Sequence, residues 1–394
     1  MAPHPTTINV DGKEERFLAS FQQQQLTPPA TAIEVRTAMT PSYHWLPEEI
    51  LEENVGSTYL TVKKNTGYGQ LVTWLAEEAT GQKHIFYKTY QTAWSNAIKV
   101  TLEPGDIWEP TIAADISDTK LYVIWAESDL DKGDQIYYRK QVSGFWSTIT
   151  QVTNTDNRPT GLDAVASKNG EIHLVWQEED NGIQSIFYKD LNSLVPITKL
   201  SEEQLNAYEP KIVYSANSRQ VHLMYVRYTS NGLYQVIYRN GTTGSWAEPV
   251  VIYQGVSRLH KTSFSTDFVG NLIFGWIEGE NQEAVMQIRE FSSEFKAVEM
   301  ILSVPYPEKT SVDISKSGVA FALAQGLPSN DRILFASRFT NSWLSSQLLM
   351  NDSVQVGFPG VVSDYFSDVY VFWADRLGEK IVLRRGEIDS DSDN

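Results

Sequence analysis

A repeat runs through most of this chain and restricts it to a small set of folds. Seven times, at a spacing of 48 to 51 residues, a short apolar segment ends in Trp or a substitute, followed by a turn and a second apolar segment. The position at the end of the first segment is occupied in turn by Trp74, Trp125, Trp176, Tyr225, Trp276, Ala324 and Trp373. Such a period is typical of arrays in which each unit buries its apolar side only against its neighbours.

The second repeat shows how one unit is built. Its strand-like segments are Pro110–Ala113, Leu121–Trp125, Gln135–Arg139 and a last piece from Trp146 to Val152. β-Branched and aromatic residues dominate them, and Asp, Asn, Gly and Ser fill the turns, which predicts a four-stranded antiparallel sheet. Seven such sheets around one axis form a propeller. The sequence therefore predicts an all-β fold, a seven-bladed β-propeller of four-stranded antiparallel blades.

The seventh repeat lacks an outer strand. After Val369–Trp373 and Ile381–Leu383 only Gly386 and an acidic stretch remain. The alternating segment 32–37 lies just before the first repeat, so we expect an N-terminal arm to close the ring and its removal (residues 1–40) to lower thermal stability. The predicted boundaries are an arm or linker at 1–30, a propeller at 31–386 with its closing strand near 32–37 and repeats from 57, and an acidic disordered tail at 387–394.

The amino-acid composition limits the classes of molecule that we expect this chain to bind. The 394 residues include 32 basic and 49 acidic side chains, a net charge of −17, and no cysteine. A surface of this charge repels phosphate backbones and anionic lipid, so we expect no nucleic acid and no membrane insertion. Residues 1–17 lack the basic start and apolar stretch of a signal peptide. The location stays open between the cytoplasm and release as part of a particle.

The segments Pro110–Ala113, Tyr122–Trp125, Ile136–Arg139 and Trp146-Ser147 resemble the BNR, or Asp-box, repeats of sialidase-type propellers. The resemblance covers roughly Tyr59 to Arg385 and implies the same fold. The Ser-x-Asp-x-Gly-x-x-Trp box of that family is degenerate, since only the Trp remains, with Gly two residues before it. A sialidase would also need three converging arginines, and we find no three at matching repeat positions. The resemblance therefore implies a propeller without the catalytic residues.

Meander topology brings two sets of side chains to one face, because the first strand of a blade begins where the second ends. At the start of the first strands lie Trp108, Glu109, Arg158, Tyr208, Glu209, His260, Lys309 and Phe358. Two residues after the Trp position lie Glu127, Glu178, Arg227, Glu278 and Asp375. Sugar rings require apolar surfaces and fixed hydrogen-bonding partners. The candidate ligand-binding residues are Trp108, Glu109, Glu127, Arg158, Glu178, Tyr208, His260 and Phe358; alternatively, the aromatics only cover blade junctions.

Two further chemistries remain open. Glu127 and Glu178 occupy equivalent positions on adjacent blades, where paired carboxylates could form a glycosidase. Repetition weighs against this, because catalysis needs carboxylates in different environments. Asp129, Asp131 and Asp134 are spaced as in a calcium loop, although Asp is common in turns. We expect no cofactor other than calcium at this loop.

The function that these features favour is a non-enzymatic binding propeller for a carbohydrate or cell-surface glycan. By analogy it would suit a component of a phage or a contractile injection particle, with residues 1–30 docking it onto a larger assembly. The alternatives are a protein scaffold with no sugar ligand and a glycan-cleaving hydrolase or lyase.

Overall fold

Seven antiparallel sheets make up the computed structural model of the protein. The structure describes residues 43–65, 67, 69–77, 80–115, 119–129, 133–326, 332–338, 342–349, 355–375 and 379–388. This part of the chain contains 31 strands, β1 to β31, and one 3-10 helix at Asn281–Glu283. Each sheet is one blade of the predicted propeller.

The first blades follow one plan, in which the chain passes from the innermost strand to the outermost. Two strands precede blade 1, namely β1 Tyr43–Trp45 and β2 Glu49–Glu53. Blade 1 contains β3 Ser57–Lys64, β4 Gln70–Glu77, β5 Lys83–Tyr90 and β6 Ile98–Lys99. Blade 2 contains β7 Ile107–Ala114, β8 Lys120–Asp129, β9 Gly133–Val142, β10 Phe145–Trp146 and β11 Thr150–Gln151. Blade 3 contains β12 Thr160–Ala166, β13 Ile172–Asp180, β14 Ile183–Asp190 and β15 Thr198–Lys199.

The remaining blades repeat this plan. Blade 4 contains β16 Asn206–Ser215, β17 Gln220–Tyr228, β18 Tyr234–Thr242, β19 Ser245–Trp246 and β20 Val250–Gly255. Blade 5 contains β21 Leu259–Thr266, β22 Leu272–Glu278, β23 Val285–Phe291 and β24 Glu299–Ser303. Blade 6 contains β25 Pro307–Ile314, β26 Ala320–Gly326, β27 Arg332–Arg338 and β28 Gln347–Leu348. Blade 7 contains β29 Val356–Ser363, β30 Val369–Asp375 and β31 Lys380–Ile388, to which β1 and β2 are added.

The innermost strands form a closed ring. Each of β3, β7, β12, β16, β21, β25 and β29 lies beside the next, and β29 lies beside β3. The predicted seven-bladed β-propeller is therefore confirmed. In blades 2, 4 and 7 the fourth strand is split into two short segments, which pair with the same third strand.

The periodic tryptophans hold the blades together. The described residues contain seven apolar clusters, one at each blade junction. Trp125 of blade 2 packs among Leu71 and Leu75 of blade 1, and it has no exposed surface. At the gap in the series, Ala324, the junction cluster also contains Trp343 from the outer part of the same blade. Burial of one large side chain stabilises a protein by about 1.5–3 kcal/mol, so these residues supply much of the cohesion between blades.

Residues that precede the first repeat add strands to blade 7. Outer strands β1 and β2 pair antiparallel with β31, in the registers Trp45↔Gly386 and Ile50↔Val382. The strands that complete blade 7 thus lie within residues 43–53, whereas the candidate segment 32–37 and the arm at 1–30 lie outside the described residues. At the other end Glu387 and Ile388, assigned from the sequence to the tail, are the last residues of β31.

Basic residues do recur at matching repeat positions, contrary to the sequence-based expectation. Arg139, Arg239, Arg289 and Arg384 each pair across the ladder with the residue two before the Trp position of their own blade. They lie on third strands, away from the ring axis. The Nη1 of Arg139 donates to the Val100 carbonyl of the preceding blade at 2.7 Å. These arginines connect blades and do not converge on a common site.

Candidate functional site

Every inner strand changes register near its start. In blade 2, for example, Trp108 pairs with Ala126 but the next paired residue is Thr111, with Ile124. Such a β-bulge re-aims side chains and is common next to functional sites. In each blade, one equivalent residue lies two positions before the ladder partner of the residue that precedes the Trp position. It lies inside the bulge in five blades and directly after it in blades 1 and 6. We call these residues the bulge ring: Tyr59, Glu109, Gly161, Glu209, Lys261, Lys309 and Phe358.

Five members of the bulge ring have a left-handed backbone. The φ angles are 48° at Glu109, 54° at Glu209, 53° at Lys261 and 54° at Phe358, and 65° at Gly161. For a residue with a side chain this conformation costs about 1–3 kcal/mol and persists only where its surroundings enforce it. Four strained side-chain positions in one ring mark this end of the propeller as a candidate functional site.

Hydrogen bonds between neighbouring blades hold the bulges in place. The Glu109 carboxylate of blade 2 accepts from the backbone N–H groups of Gly161 and Leu162 in blade 3. The Glu209 Oε2 of blade 4 accepts from the N–H of Thr262 in blade 5 at 2.9 Å. These acids therefore play the same role two blades apart, fixing the bulge of the next blade.

The inner strands surround a cavity of about 180 Å³ on the ring axis. Residues of all seven blades line it, and two members of the bulge ring, Tyr59 and Phe358, do so with their aromatic rings 4.9 Å apart between centroids. Lys309, a third member, also lines the cavity, together with Lys211 of blade 4. We call the end of the cavity at the bulge ring the channel mouth.

Two lysines of blade 1 that line the cavity are neutralised by carboxylates of other blades. Lys63 forms a salt bridge with Asp163, whose Oδ2 also accepts from the Ile212 N–H at 2.9 Å. The Nζ of Lys64 lies 2.6 Å from Asp313 Oδ1. Both acids are almost completely buried. These pairs satisfy one another, so this part of the channel has little net charge left for a ligand.

The lysines of blades 4, 5 and 6 differ from this pattern. Within the described residues, the Nζ atoms of Lys211, Lys261 and Lys309 form no hydrogen bond or salt bridge. Burial, and next the positive charge of Lys211, lower the pKa of Lys309 from 10.5 to about 8, against the opposing effect of Glu109 and Asp163. Lys261 adds to the lowering. Lys211 and Lys309 therefore share the lining of the cavity, and Lys261 lies close enough to act on Lys309.

Two of the sequence-predicted aromatic residues, Trp108 and Tyr208, lie at blade junctions, and His260 contacts its own blade. Trp108, Tyr208 and His260 each precede a bulge residue by one position, which turns them away from the axis. The Trp108 indole N–H donates to the Pro159 carbonyl of the next blade at 3.1 Å. Tyr208 packs against the cluster between blades 4 and 5, and its buried hydroxyl has no hydrogen-bond partner among the described residues. His260 Nε2 lies 2.8 Å from the Gly279 carbonyl oxygen.

Arg158 is displaced from its predicted equivalents. Aligned on their prolines, blades 2 and 3 match Pro110 with Pro159. In the ladders, however, Asp163 pairs with Val175 in the way that Thr111 pairs with Ile124. The proline of blade 3 therefore lies three residues earlier in its blade than that of blade 2. Arg158 consequently precedes the inner strand. Its exposed guanidinium lies over the Trp108 ring, 4.1 Å from the centroid. Phe358, Lys309, Glu109 and Glu209 are the sequence-predicted residues that belong to the bulge ring.

The carboxylates of Glu127 and Glu178 bind the tryptophans two residues before them. The Trp125 indole N–H donates to Glu127 Oε2 at 2.8 Å, and that of Trp176 to Glu178 Oε2 at 3.1 Å. Glu178 is only 8% exposed and also accepts from the Thr155 hydroxyl. Both acids therefore satisfy buried donors at separate blade junctions.

The predicted calcium loop is described only in part. Asp131 and the side chain of Asp129 lie outside the described residues. Asp134 accepts from the Ser128 hydroxyl, and its Oδ2 lies 3.8 Å from Arg158 Nε. Among the described side chains no three His, Asp or Glu residues come together as metal ligands. In the same part of the chain, no helix has the length and apolarity needed to cross a membrane.

Sequence reasoning missed Tyr59, Lys211 and Lys261. Lys261 precedes no proline, and Tyr59 lies in the first repeat, where the proline is also absent. Tyr59 and Lys261 share one signal, the distance to the Trp position once the extra bulge residue is counted, whereas Lys211 lies beyond the bulge. That count requires the strand ladder.

No family model and no curated protein matches this chain. Several solved structures are similar to it. An ulvan lyase of polysaccharide lyase family PL25, bound to -[GlcA(1-4)Rha3S]-, is 9% identical with a TM-score of 0.57, covering 85% of this chain and 95% of that one. The polysaccharide lyase Uly1 is 10% identical with a TM-score of 0.55, covering 87% and 91%. The intramolecular trans-sialidase from Ruminococcus gnavus is 7% identical with a TM-score of 0.45, covering 87% and 97%. At these identities the likeness shows the propeller fold, with carbohydrate-related proteins among the neighbours.

Proposed function

We propose that this chain is a non-enzymatic propeller that binds carbohydrate at the channel mouth. The observation that carries the proposal is the bulge ring, to which each of the seven blades contributes one residue and from which Tyr59, Lys309 and Phe358 line the central cavity. It combines two aromatic rings, Tyr59 and Phe358, with acidic and basic side chains. A sugar requires this combination, an apolar surface for its ring and fixed polar groups for its hydroxyls.

The hydrogen bonds of Glu127 and Glu178 favour glycan binding over glycan hydrolysis. Each carboxylate accepts a hydrogen bond from the buried indole two residues before it, at its own blade junction. A glycosidase needs two carboxyl groups facing one bond and in unlike environments. The neighbouring polysaccharide lyases support a role with carbohydrate only through the shared fold. The proposal extends to assembly, with residues 1–30 attaching the propeller to a larger particle such as a phage or contractile injection apparatus.

A glycan array probed with the intact protein, with and without calcium, tests this function. Any glycan found is then incubated with the protein and examined for new reducing ends and unsaturated uronate. Binding without product is the expected result. Product formation would replace the proposal by a hydrolase or lyase, and a blank array would replace it by a protein scaffold.

Phe358→Ala locates the site, with Phe366→Ala as its matched control. Phe358 lines the channel mouth, whereas Phe366 is 79% exposed in the turn after β29, at the opposite end of the same inner strand. We expect loss of array binding in the first variant only, at similar melting temperatures. Equal loss in both variants, or in neither, would contradict this location.

A further inference from the structure

Three lysines at the channel mouth lack the partners that other lysines of the cavity have. Lys211, Lys261 and Lys309 come from the consecutive blades 4, 5 and 6. Lys63 and Lys64, in the same cavity, each have a buried aspartate. The difference is not a shortage of acids, since the chain carries 49 acidic residues against 32 basic ones.

The acids nearest these lysines are already engaged, Asp163 with Lys63 and with the N–H of Ile212. Glu109 accepts from the N–H groups of blade 3, and Glu209 accepts from that of blade 5. Their carboxylates are thus oriented toward backbone donors and do not form salt bridges with the lysines. The amines retain their donor capacity, three N–H groups each when charged.

An arrangement of this kind is costly in the absence of a ligand. Placing an ammonium in an enclosed site without a partner is unfavourable, and like charges nearby add to the cost. The backbone strain at Lys261, with φ of 53°, adds a further local cost. An anion that entered the mouth would relieve both electrostatic terms at once.

We propose that Lys211, Lys261 and Lys309 form a subsite for the acidic group of a sugar, a carboxylate or a sulfate ester. This rests on the proposed function, carbohydrate binding at the channel mouth, and adds the class of ligand. Lys211 and Lys309 line the cavity and Lys261 lies in the bulge of blade 5, so together they offer the charge and the donors that match an oxyanion with several acceptor oxygens. The aromatic rings of Tyr59 and Phe358 then contact the sugar ring that carries it.

Three monosaccharides that share one ring test the subsite. Glucose, glucuronate and glucose 6-sulfate are titrated against the intact protein by ligand-observed NMR, with inorganic sulfate as a fourth probe. We expect at least one acidic sugar to bind about tenfold or more tightly than glucose, the effect of one charge-assisted hydrogen bond. Preference for glucuronate or for the sulfate ester identifies the acidic group.

Lys309→Gln and Lys211→Gln are each expected to reduce that affinity about tenfold. Lys168→Gln is the control, because it removes the same charge from an exposed turn at the other end of blade 3. Melting temperatures establish that the variants are folded. Equal affinity for glucose and both acids, or an effect as large in the control, would overturn the subsite.

The two proposals fail separately. Array binding of neutral glycans without preference for the acidic sugars refutes the subsite and leaves carbohydrate binding intact. A blank array refutes the function itself. Inorganic sulfate that binds as tightly as the acidic sugars would reassign the lysines to a free anion and so overturn the sugar subsite.

Discussion

At the scale of single residues, the channel mouth has a measurable stability signature. The pKa of Lys309 is lowered by burial and by Lys211 to about 8, from 10.5. Below about pH 8 the amine is charged in the folded and the unfolded protein, and its unfavourable burial is fully felt. Between about 8 and 10.5 the unfolded chain binds more protons, so the free energy of unfolding rises with pH in this window.

Lys309→Met should therefore raise the melting temperature at pH 7 by a few degrees, because the substitution removes an unpaired enclosed charge. The gain should shrink as the pH rises from about 8 toward 10.5. Thermal denaturation followed by circular dichroism across this range measures it, with Lys168→Met as the exposed control. A lower melting temperature at pH 7 would contradict the account of an unpaired lysine.

A second titrating residue acts at acid pH. Burial lowers the pKa of His222 from 6.5 to about 4, and its Nδ1 lies 2.8 Å from the Tyr238 hydroxyl. Between pH 6.5 and 4 the unfolded chain takes up a proton that the folded chain excludes, so stability is lost as the pH falls. His222→Gln should reduce this acid loss in urea titrations at pH 7 and 4.5. The exposed His44→Gln should leave it unchanged, and an equal effect of both would refute the assignment.

At the scale of elements, a Trp-x-Glu unit lies near the ends of the second strands of blades 2 and 3. The indole N–H of each Trp is buried and needs an acceptor, and the Glu two residues later provides it. The side chains of residues i and i+2 lie on one face of a strand, which explains the spacing. The carboxylates of Glu127 and Glu178, which the sequence offers as candidate ligand-binding groups, are thus part of the blade junctions.

Glu178→Ala should lower the free energy of unfolding by about 1–3 kcal/mol, the cost of leaving a buried donor without a partner. Glu178→Gln should cost less, because its amide oxygen can still accept from Trp176. Chemical denaturation measures both. The exposed neighbour Glu179 is the control, and a Glu179→Ala effect of the same size would show that the indole bond is not responsible.

Element boundaries also show what a sequence of this kind can reveal. The Trp positions, the number of blades and the incomplete seventh repeat all follow from apolar periodicity, because burial at the junctions imposes it. The closing strands β1 and β2 do not follow from this periodicity. β2 reads Glu49-Ile50-Leu51-Glu52-Glu53, with three acidic residues in five, and its strand conformation comes from pairing with β31. The bulges escape notice for a similar reason, since they are defined by the register between two strands.

The site illustrates the same limit. Phe358, Glu109 and Glu209 could be found in the sequence because each is followed directly by a proline. Lys261 and Tyr59 have Thr and Leu there. Lys211 lies two residues beyond Glu209, at the ladder position that Thr111 and Asp163 occupy in blades 2 and 3, and it lines the cavity. Residues about one repeat apart become neighbours because consecutive blades pack side by side, which the local sequence does not encode.

At the scale of the whole molecule, the ring depends on strands from both ends of the described propeller. Leu51 of β2 is 5% exposed and lies in the cluster between blades 7 and 1, whereas Ile50 beside it is 47% exposed. Leu51→Ala should lower the free energy of unfolding by about 2–5 kcal/mol. Ile50→Ala on the same strand should change it by less than about 0.5 kcal/mol. Similar effects in denaturant titrations would argue against β2 as a packed outer strand. Deletion of residues 1–42 separately tests the predicted role of the segment 32–37.

The central claim, that a sugar binds where all blades meet, is tested most directly by hydrogen exchange measured by mass spectrometry with and without a glycan selected on the array. The account predicts slower exchange at the starts of several inner strands together, in segments 207–212, 259–264 and 307–312, which carry the three lysines. Protection restricted to the outer strands of one blade, or none in these segments at saturating glycan, would contradict it.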